Sequence, residues 1–521
     1  MATITFLHYI PILFLLWLLP IVLHYLFRKP SKPTTGRLNL PPSPPELPII
    51  GSLHRLSTVA YIGFKNLKKY GSILYVRLAT YPVIVVNSAS LAVEVFKTQD
   101  LNFSWRTRSP FGDVVLFGSE SSFFNSPYGD YWKFMKKLSV TELLGAAQIK
   151  RSYKVRREEL DRFLHKMLEK SEKGEVVDLS GEILTLTNNS TCRMLMSTRV
   201  SGEDNEAERC RVLVNDSFQL ASKLAIAYVF GPFKNCIIWF FRKQLEEIPR
   251  GYDELFEKLL REHEERAKVH GYDREDKDLM DILLKVYHSE DAEFKITRTQ
   301  MKTYFLDLFT GGTGTTTDGI LWVMANLINR PSVFNKVREE IESVVGKNRL
   351  VEESDVPNLH YLQAVVKETF RLYPPVPVFD RVPHQSCKLG GYDVPKGMTV
   401  VLDVHTIMRD PEAWDNPDEF IPERFMDIPP NKEHDNNLKQ TIAQNLNQNF
   451  IPFGGGRRMC PGQNLTSSLT HSSVAAMVQC FDWKSCGGGG KVDMQPRTGI
   501  TLGLAQPLTC VPTLHFNPFD V

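Results

Sequence analysis

Phe453-Gly-Gly-Gly-Arg-Arg-Met-Cys-Pro-Gly462 is the stretch on which the reading of the chain turns. It gathers three consecutive glycines, two arginines and one cysteine directly after Pro452, and residues 463–481 that follow read as a helix. A cysteine just before a helix N-terminus lies where the helix dipole and free N–H groups favour the thiolate. Glycines remove side chains where backbone must approach something large and flat. Arg457 and Arg458 offer guanidinium forks suited to carboxylates. A soft anionic ligand, room for a macrocycle and cations for its carboxylates are what an iron porphyrin requires. Taken alone, a cysteine in a glycine-rich turn is more often a small buried residue. A phosphate loop is disfavoured because the Lys-Ser/Thr ending is missing.

The spaced pattern Phe453-x-x-Gly456-x-Arg458-x-Cys460-x-Gly462 resembles the haem-binding signature of the cytochromes P-450. That resemblance implies a mainly α fold with small β-sheets (α+β). It implies haem b (iron protoporphyrin IX) with Cys460 as the axial iron ligand and Phe453 and Arg458 at the cofactor. NADPH and O2 would be co-substrates, with electrons delivered by NADPH-cytochrome P-450 reductase.

The chain has 521 residues, and no Ser/Gly-rich or long charged linker divides it after residue 50, so one large catalytic domain is expected rather than three small ones. A net charge of +2 with 23% charged residues carries no nucleic-acid signature. Eight cysteines without paired spacing suit a reducing compartment.

Phe6 to Phe27 is an apolar run of about a bilayer's length. No charge precedes it, whereas Arg28, Lys29, Lys32 and Arg37 follow, so its C-terminal side is expected in the cytosol. A cleaved signal peptide would need a positive leading region and a shorter core. The expectation is a membrane anchor over 1–30, a basic and proline-rich hinge over 31–51 and a haem-thiolate domain over 52–521. The resemblance places the anchor, single-pass, in the endoplasmic reticulum membrane. Five prolines between Pro41 and Pro48 keep the hinge extended. It resembles the proline hinge of microsomal members, with Ser43 where the family usually has Gly.

Tyr75–Leu78 and Tyr81–Asn87 read as strands and Ser88–Thr98 as a helix capped by Ser88. The aromatic, Gly/Ser-rich stretch 110–127 lacks periodicity and reads as a long loop. By resemblance it covers the substrate, making Phe111, Val114, Leu116, Phe117 and Phe123 candidate pocket walls. Trp132 and Lys136 share one face of the helix that begins at Tyr131. The family places a Trp-x-x-x-Arg pair there for a haem propionate; here Lys136 keeps the charge and loses the fork. Residues 150–295 read as a charged helical series, clearest over Arg156–Glu169 and Tyr252–Lys268.

Thr297 to Arg330 reads as one helix of about 34 residues, about 50 Å long. Its centre, Phe309-Thr-Gly-Gly-Thr-Gly-Thr-Thr-Thr-Asp318, carries three glycines, each costing about 1 kcal/mol relative to Ala, so a groove or widened turn is expected there. In the family a carboxylate and an adjacent threonine relay protons during oxygen activation. Thr315 matches the alcohol, so it is the candidate catalytic residue; Gly314 stands where the acid would be, and Asp318, one turn later, is a weak substitute.

Glu368 and Arg371 resemble the family's Glu-x-x-Arg pair, with Arg424 of Pro422-Glu-Arg-Phe425 as third partner. Val378 and Phe379 fall where members line the pocket, Arg381 where one returns an arginine to a propionate, and Ile500 on a second pocket hairpin, Thr498–Leu502. Gly311 and Gly312 complete the candidate pocket. The implied activity is a monooxygenase acting on a bulky lipophilic plant specialised metabolite, a triterpene skeleton first and a flavonoid second. A reductase-independent isomerase or dehydratase, and a non-catalytic haem or lipid binder, are the readings from other classes. Lys133 and Lys137 are candidates to meet the reductase.

Overall fold

The computed structural model describes residues 38–56, 60–107, 118, 120–197, 209, 212–214, 216–217, 219–221, 223–224, 234–272, 277–426, 449–497, 499 and 501–520. The expected anchor lies outside the described residues; among those described, no helix is long and apolar enough to cross a membrane. The proline-rich segment forms no helix. It lies along the first sheet, with Tyr75 N–H donating to the Pro42 carbonyl at 2.9 Å. Ser43, where the resemblance expects Gly, donates to Glu46 at 3.1 Å.

Among the described residues helices dominate, with three small sheets. The largest sheet has the order Ile73–Leu78, Tyr81–Val86, Thr399–Leu402, Phe379–Arg381. Its first pair is antiparallel and the β-branched run 83–86 then pairs parallel with 399–402. Phe379–Arg381 closes the edge antiparallel, with Arg381 opposite Val400. Ser88 caps its helix as expected, its hydroxyl accepting from Leu91 N–H, but the α turn spans only Ala89–Val93 and continues as a π-helical turn to Thr98. The charged middle of the chain forms helices longer than their clearest segments suggest, Tyr153–Lys173 and Arg242–His270.

The long helix departs from expectation. It is two helices, Arg298–Gly312 and Gly314–Ile328, separated at Thr313 with φ −91° and ψ −71°. Thr297 starts the first with a capping box to Gln300, and Pro331 opens the next helix, so both ends fall where the sequence puts them. The halves bury different faces. Met301, Tyr304, Phe305 and Phe309 join one apolar cluster with the helices 130–138, 242–270 and 279–288. Ile320 to Leu327 join another with the helices 331–345 and 360–372. The weak glycine-rich turn lies between two cores, each of which holds its own half.

Candidate functional site

Cys460 sits at the end of the glycine loop, two residues before the cap of the helix Gln463–Cys480. Its N–H donates to the Phe453 carbonyl at 3.0 Å, which folds the loop back on itself. Phe453 rests edge-on against Phe370 with centroids 5.9 Å apart. Two of the glycines make room for protein neighbours. A Cβ on Gly455 would lie 2.7 Å from the Phe96 ring, and one on Gly456 would lie 2.1 Å from the Asp100 carboxylate. Gly456 also has φ +66°, which side chains rarely adopt. These two glycines let the segment 96–100 close on the loop. Arg457, expected to offer its fork to a carboxylate of the cofactor, instead pairs with Asp100 at 3.2 Å, and its backbone N–H donates to the same side chain. Burial pushes the Cys460 thiol up, outweighing the Gly462 N–H and the charges of Lys136 and Arg106. The thiolate is therefore favoured when a metal cation is bonded to sulfur, which deprotonates a coordinating thiol outright.

Above the loop three guanidiniums converge from distant parts of the chain. Arg458 is 7% exposed and donates from Nε to the Ser104 carbonyl at 2.7 Å and from Nη2 to the Ser126 carbonyl. Its guanidinium lies over the ring of Trp132, 4.5 Å from the centroid. Arg381 is 2% exposed, bonds the carbonyl of Asp380 at 2.9 Å and lies over the Phe379 ring. Arg106, which the sequence reading did not single out, keeps a buried Nε without a partner among the described residues. Burial pushes all three down, Arg106 further depresses Arg381 and Arg458, and Arg458 depresses Arg381, while the Asp380 carboxylate partly offsets this at each of the three. A buried cluster of mutually repelling cations fits an anionic partner, and two carboxylates of an iron porphyrin meet that need. Lys136 donates from Nζ to the Met459 carbonyl at 2.9 Å, next to the cysteine.

An unheralded acid supports this cluster. Asp307, pushed up to about 7 by burial, accepts from the Ser122 hydroxyl at 3.0 Å and from Phe124 N–H at 3.2 Å. It thereby ties the first half-helix to the turn whose Phe123 and Ser126 carbonyls face Arg458. An acid in the apolar run Tyr304-Phe-Leu-Asp-Leu-Phe309 was the signal available in the sequence.

At the helix break the Thr315 hydroxyl donates to the Gly311 carbonyl at 2.7 Å. A Cβ on Gly311 or on Gly314 would meet nothing within 4 Å, so both glycines border open space. Gly312 instead faces Thr191, 3.5 Å from such a Cβ. Asp318, the weak substitute acid, is paired with Arg497 at 2.7 Å.

Glu368, Arg371 and Arg424 meet in one buried network. Arg371 Nε and Nη2 take the two Glu368 oxygens at 2.7 and 2.8 Å, and Arg424 Nε takes one of them at 3.0 Å. Arg371 also donates to the carbonyls of Met408, Pro417 and Glu419. Of the pocket candidates, Phe123 is a core residue: it stacks on Trp132 and meets Tyr304 edge-on, with centroids 5.9 and 5.6 Å away. Val378 packs against two core clusters, and Phe379 faces Phe96 beside Gly454. Phe111, Val114, Leu116, Phe117, Thr498 and Ile500 lie outside the described residues. On the surface, Lys137 pairs with Glu293 at 2.6 Å and Lys133 with Asp130 at 3.4 Å.

Residues 41–511 match the family profile described as Cytochrome P450. Cytochrome P450 705A5 of Arabidopsis thaliana is 43% identical over 490 residues, covering 94% of this chain and 93% of its own. The 3,9-dihydroxypterocarpan 6A-monooxygenase of Glycine max is 39% identical over 505 residues, covering 95% and 96%. Among solved structures, a zebrafish cytochrome P450 with progesterone superposes with a TM-score of 0.73 at 26% identity, over 87% of this chain and 99% of that one.

Proposed function

The chain belongs to the cytochrome P450 family, and on that premise we propose that it oxidises a bulky, uncharged plant specialised metabolite, in the first place a triterpene skeleton. The family assigns it haem b, O2 and NADPH-derived electrons passed through a reductase, and makes it an oxygen-incorporating oxidoreductase. The observation that carries the site assignment is the burial of Arg381 and Arg458 at the Cys460 loop, together with a buried Arg106 Nε that has no partner among the described residues.

Bound haem supplies the redox chemistry that activates O2 and oxidises a C–H bond. Cys460 would hold the iron through its sulfur, and the three arginines would hold the carboxylates of the group. Phe453 and Trp132 supply apolar surface at the loop and below Arg458. Lys136 keeps a positive charge near the sulfur. Thr315 holds a proton at Oγ1, directed to the Gly311 carbonyl, and its lone pairs accept from a proton donor. The carboxylate that adjoins this threonine elsewhere in the family is absent, and the open space beside Gly314 has room for water in its place. Glu368, Arg371 and Arg424 lock the segments at 408, 417–421 and 424 behind the site.

The substrate class rests on the likeness to plant cytochromes P450 and on the uncharged open space beside Gly311 and Gly314. A flavonoid-type substrate is the second reading, favoured by the relative named for a dihydroxypterocarpan, itself a flavonoid-type ring system. The apolar run Phe6–Phe27 followed by Arg28 and Lys29 supports a single-pass anchor with the catalytic domain cytosolic, and the family resemblance puts that anchor in the endoplasmic reticulum membrane. Lys133 and Lys137 would then lie at the reductase-facing surface.

The test is to incubate microsomes containing the chain and a reductase with triterpene and flavonoid panels, with and without NADPH, and to read products by mass spectrometry. NADPH-dependent oxygenated triterpenes are expected. Products from flavonoids alone would move the assignment to the second reading, and rearranged products formed without NADPH would sink the oxygenation of either class.

A further inference from the structure

The helix that carries Thr315 is fastened to the C-terminal hairpin at two points one turn apart. At the first, Arg497 Nη2 donates to Asp318 Oδ2 at 2.7 Å and to the Thr501 hydroxyl at 2.8 Å. At the second, the indole of Trp322 donates to the Leu502 carbonyl at 2.8 Å. The hairpin is closed by Arg497 N–H to the Gly503 carbonyl and Ala505 N–H to the Gln495 carbonyl, each 2.8 Å. Leu502 N–H reaches the Pro375 carbonyl at 2.9 Å, so the segment leading to Val378 and Phe379 belongs to the same unit.

The two fastenings differ in kind. Trp322 is fully buried and stacks on Tyr373 with centroids 4.1 Å apart, so it is part of the core. The ion pair has one buried end, Asp318 at 3% exposure, and one half-exposed end, Arg497 at 46%. Gly503 makes room for it. A Cβ there would lie 2.5 Å from Asp318 Oδ1 and 2.7 Å from Arg497 Cζ, so any side chain drives into the pair. No left-handed backbone angle is recorded at Gly503, so space rather than conformation calls for the missing side chain.

We propose that Asp318, Arg497 and Gly503 form a positioning clamp that sets the separation between the Thr315 helix and the hairpin, and thereby the size of ligand admitted beside Thr315. The clamp assigns Asp318 a role other than proton delivery: its carboxylate is committed to the hairpin. This inference rests on the haem-site reading above, and its test separates the two.

The full-length, haem-loaded protein and its Arg497→Met, Gly503→Ala and Arg497→Lys variants are titrated with imidazole and with a bulky triaryl imidazole. Both probes ligate haem iron and are read by displacement of the Soret band. Arg497→Met and Gly503→Ala should each shift the ratio of the two dissociation constants about tenfold, with imidazole affinity unchanged, while Arg497→Lys stays within about threefold of the parent. The reduced carbonyl spectrum should remain that of a thiolate-ligated haem in all four. An unchanged ratio with that spectrum intact overturns the clamp. Equal loss of affinity for both probes overturns it as well, because a merely structural defect does not discriminate by size. If Gly503→Ala does not retain haem, Arg497→Met decides alone. A parent protein without the thiolate carbonyl spectrum would instead sink the haem-site reading.

Discussion

The Thr315 hydroxyl donates to the Gly311 carbonyl oxygen at 2.7 Å, across the point where the long helix divides. A divided helix leaves carbonyls without their usual partners, and a threonine hydroxyl four residues on satisfies one of them. The same bond fixes the direction of the hydroxyl proton and leaves the oxygen lone pairs free to accept. An acid next to this threonine would be the natural donor, and Gly314 has no side chain to offer.

Gly314→Asp restores that acid. The open space at this position accepts a carboxylate without displacing a neighbour. Gly314 is also the first residue of its half-helix, where an acidic side chain gains about 0.3–1 kcal/mol from the helix dipole. The variant is expected to melt at or slightly above the parent temperature and to form more product per NADPH consumed. Unchanged product per NADPH in a folded, haem-loaded variant would mean that Thr315 and water already suffice.

Glu368→Ala removes the one anion between Arg371 and Arg424. Both Glu368 and Arg371 are wholly buried, so the change leaves an uncompensated charge in the core, at about 3–5 kcal/mol. Thermal denaturation should show that loss, and the reduced carbonyl difference spectrum should vanish because the loops behind the site lose their anchor. A normal carbonyl spectrum would remove the network from the haem site.

What the sequence revealed of this site followed distance along the chain. The cysteine loop and the Glu-x-x-Arg pair are local patterns legible through their resemblance to the family, and the ends of the long helix were legible from Thr297 and Pro331. Arg457 and Arg458 are neighbours of one chemical type, and only the fold separates them: one meets Asp100 at the surface and the other is buried against Trp132. Arg106 and Asp307 were missed because their partners lie in segments remote from them in the chain. The division of the helix at Thr313 was legible as a weak point, but not as a break, because two separate cores hold the halves and cores are built from long-range contacts.

Arg106→Met separates the two roles of the cation cluster. In the haem-free protein the three guanidiniums repel one another and Asp380 only partly offsets this, so removing one should raise the melting temperature. With haem, the same change removes a charge-assisted contact to a carboxylate and should weaken haem affinity about tenfold. Melting scans of both forms and haem transfer to apomyoglobin measure the two effects. A loss of stability in both forms would assign Arg106 a structural role and count against the carboxylate cradle.

His263 and Asp278 make stability depend on pH from both sides. The ring nitrogens of His263 contact the Leu259 carbonyl and Asp278 Oδ2, each at 2.8 Å. Burial alone would push the imidazole down, but the hydrogen bond and charge of Asp278 outweigh it and hold it above its ordinary value. Its contribution is therefore fully present below about 6.5, the ordinary histidine value, and is lost as pH rises through the higher folded value. Burial would raise Asp278, yet His263 and Ser197 hold it below the usual carboxylate range. That contribution is present above about 3.9 and is lost as pH falls through the lower folded value. Arg266, 3.5 Å from Asp278 and 3.3 Å from Asp281, keeps both acids partly compensated when the imidazole is neutral. The melting temperature should thus decline as pH rises from 6.5 toward the alkaline side, and His263→Gln should flatten that decline. An unaltered alkaline slope in His263→Gln would show that other groups govern it.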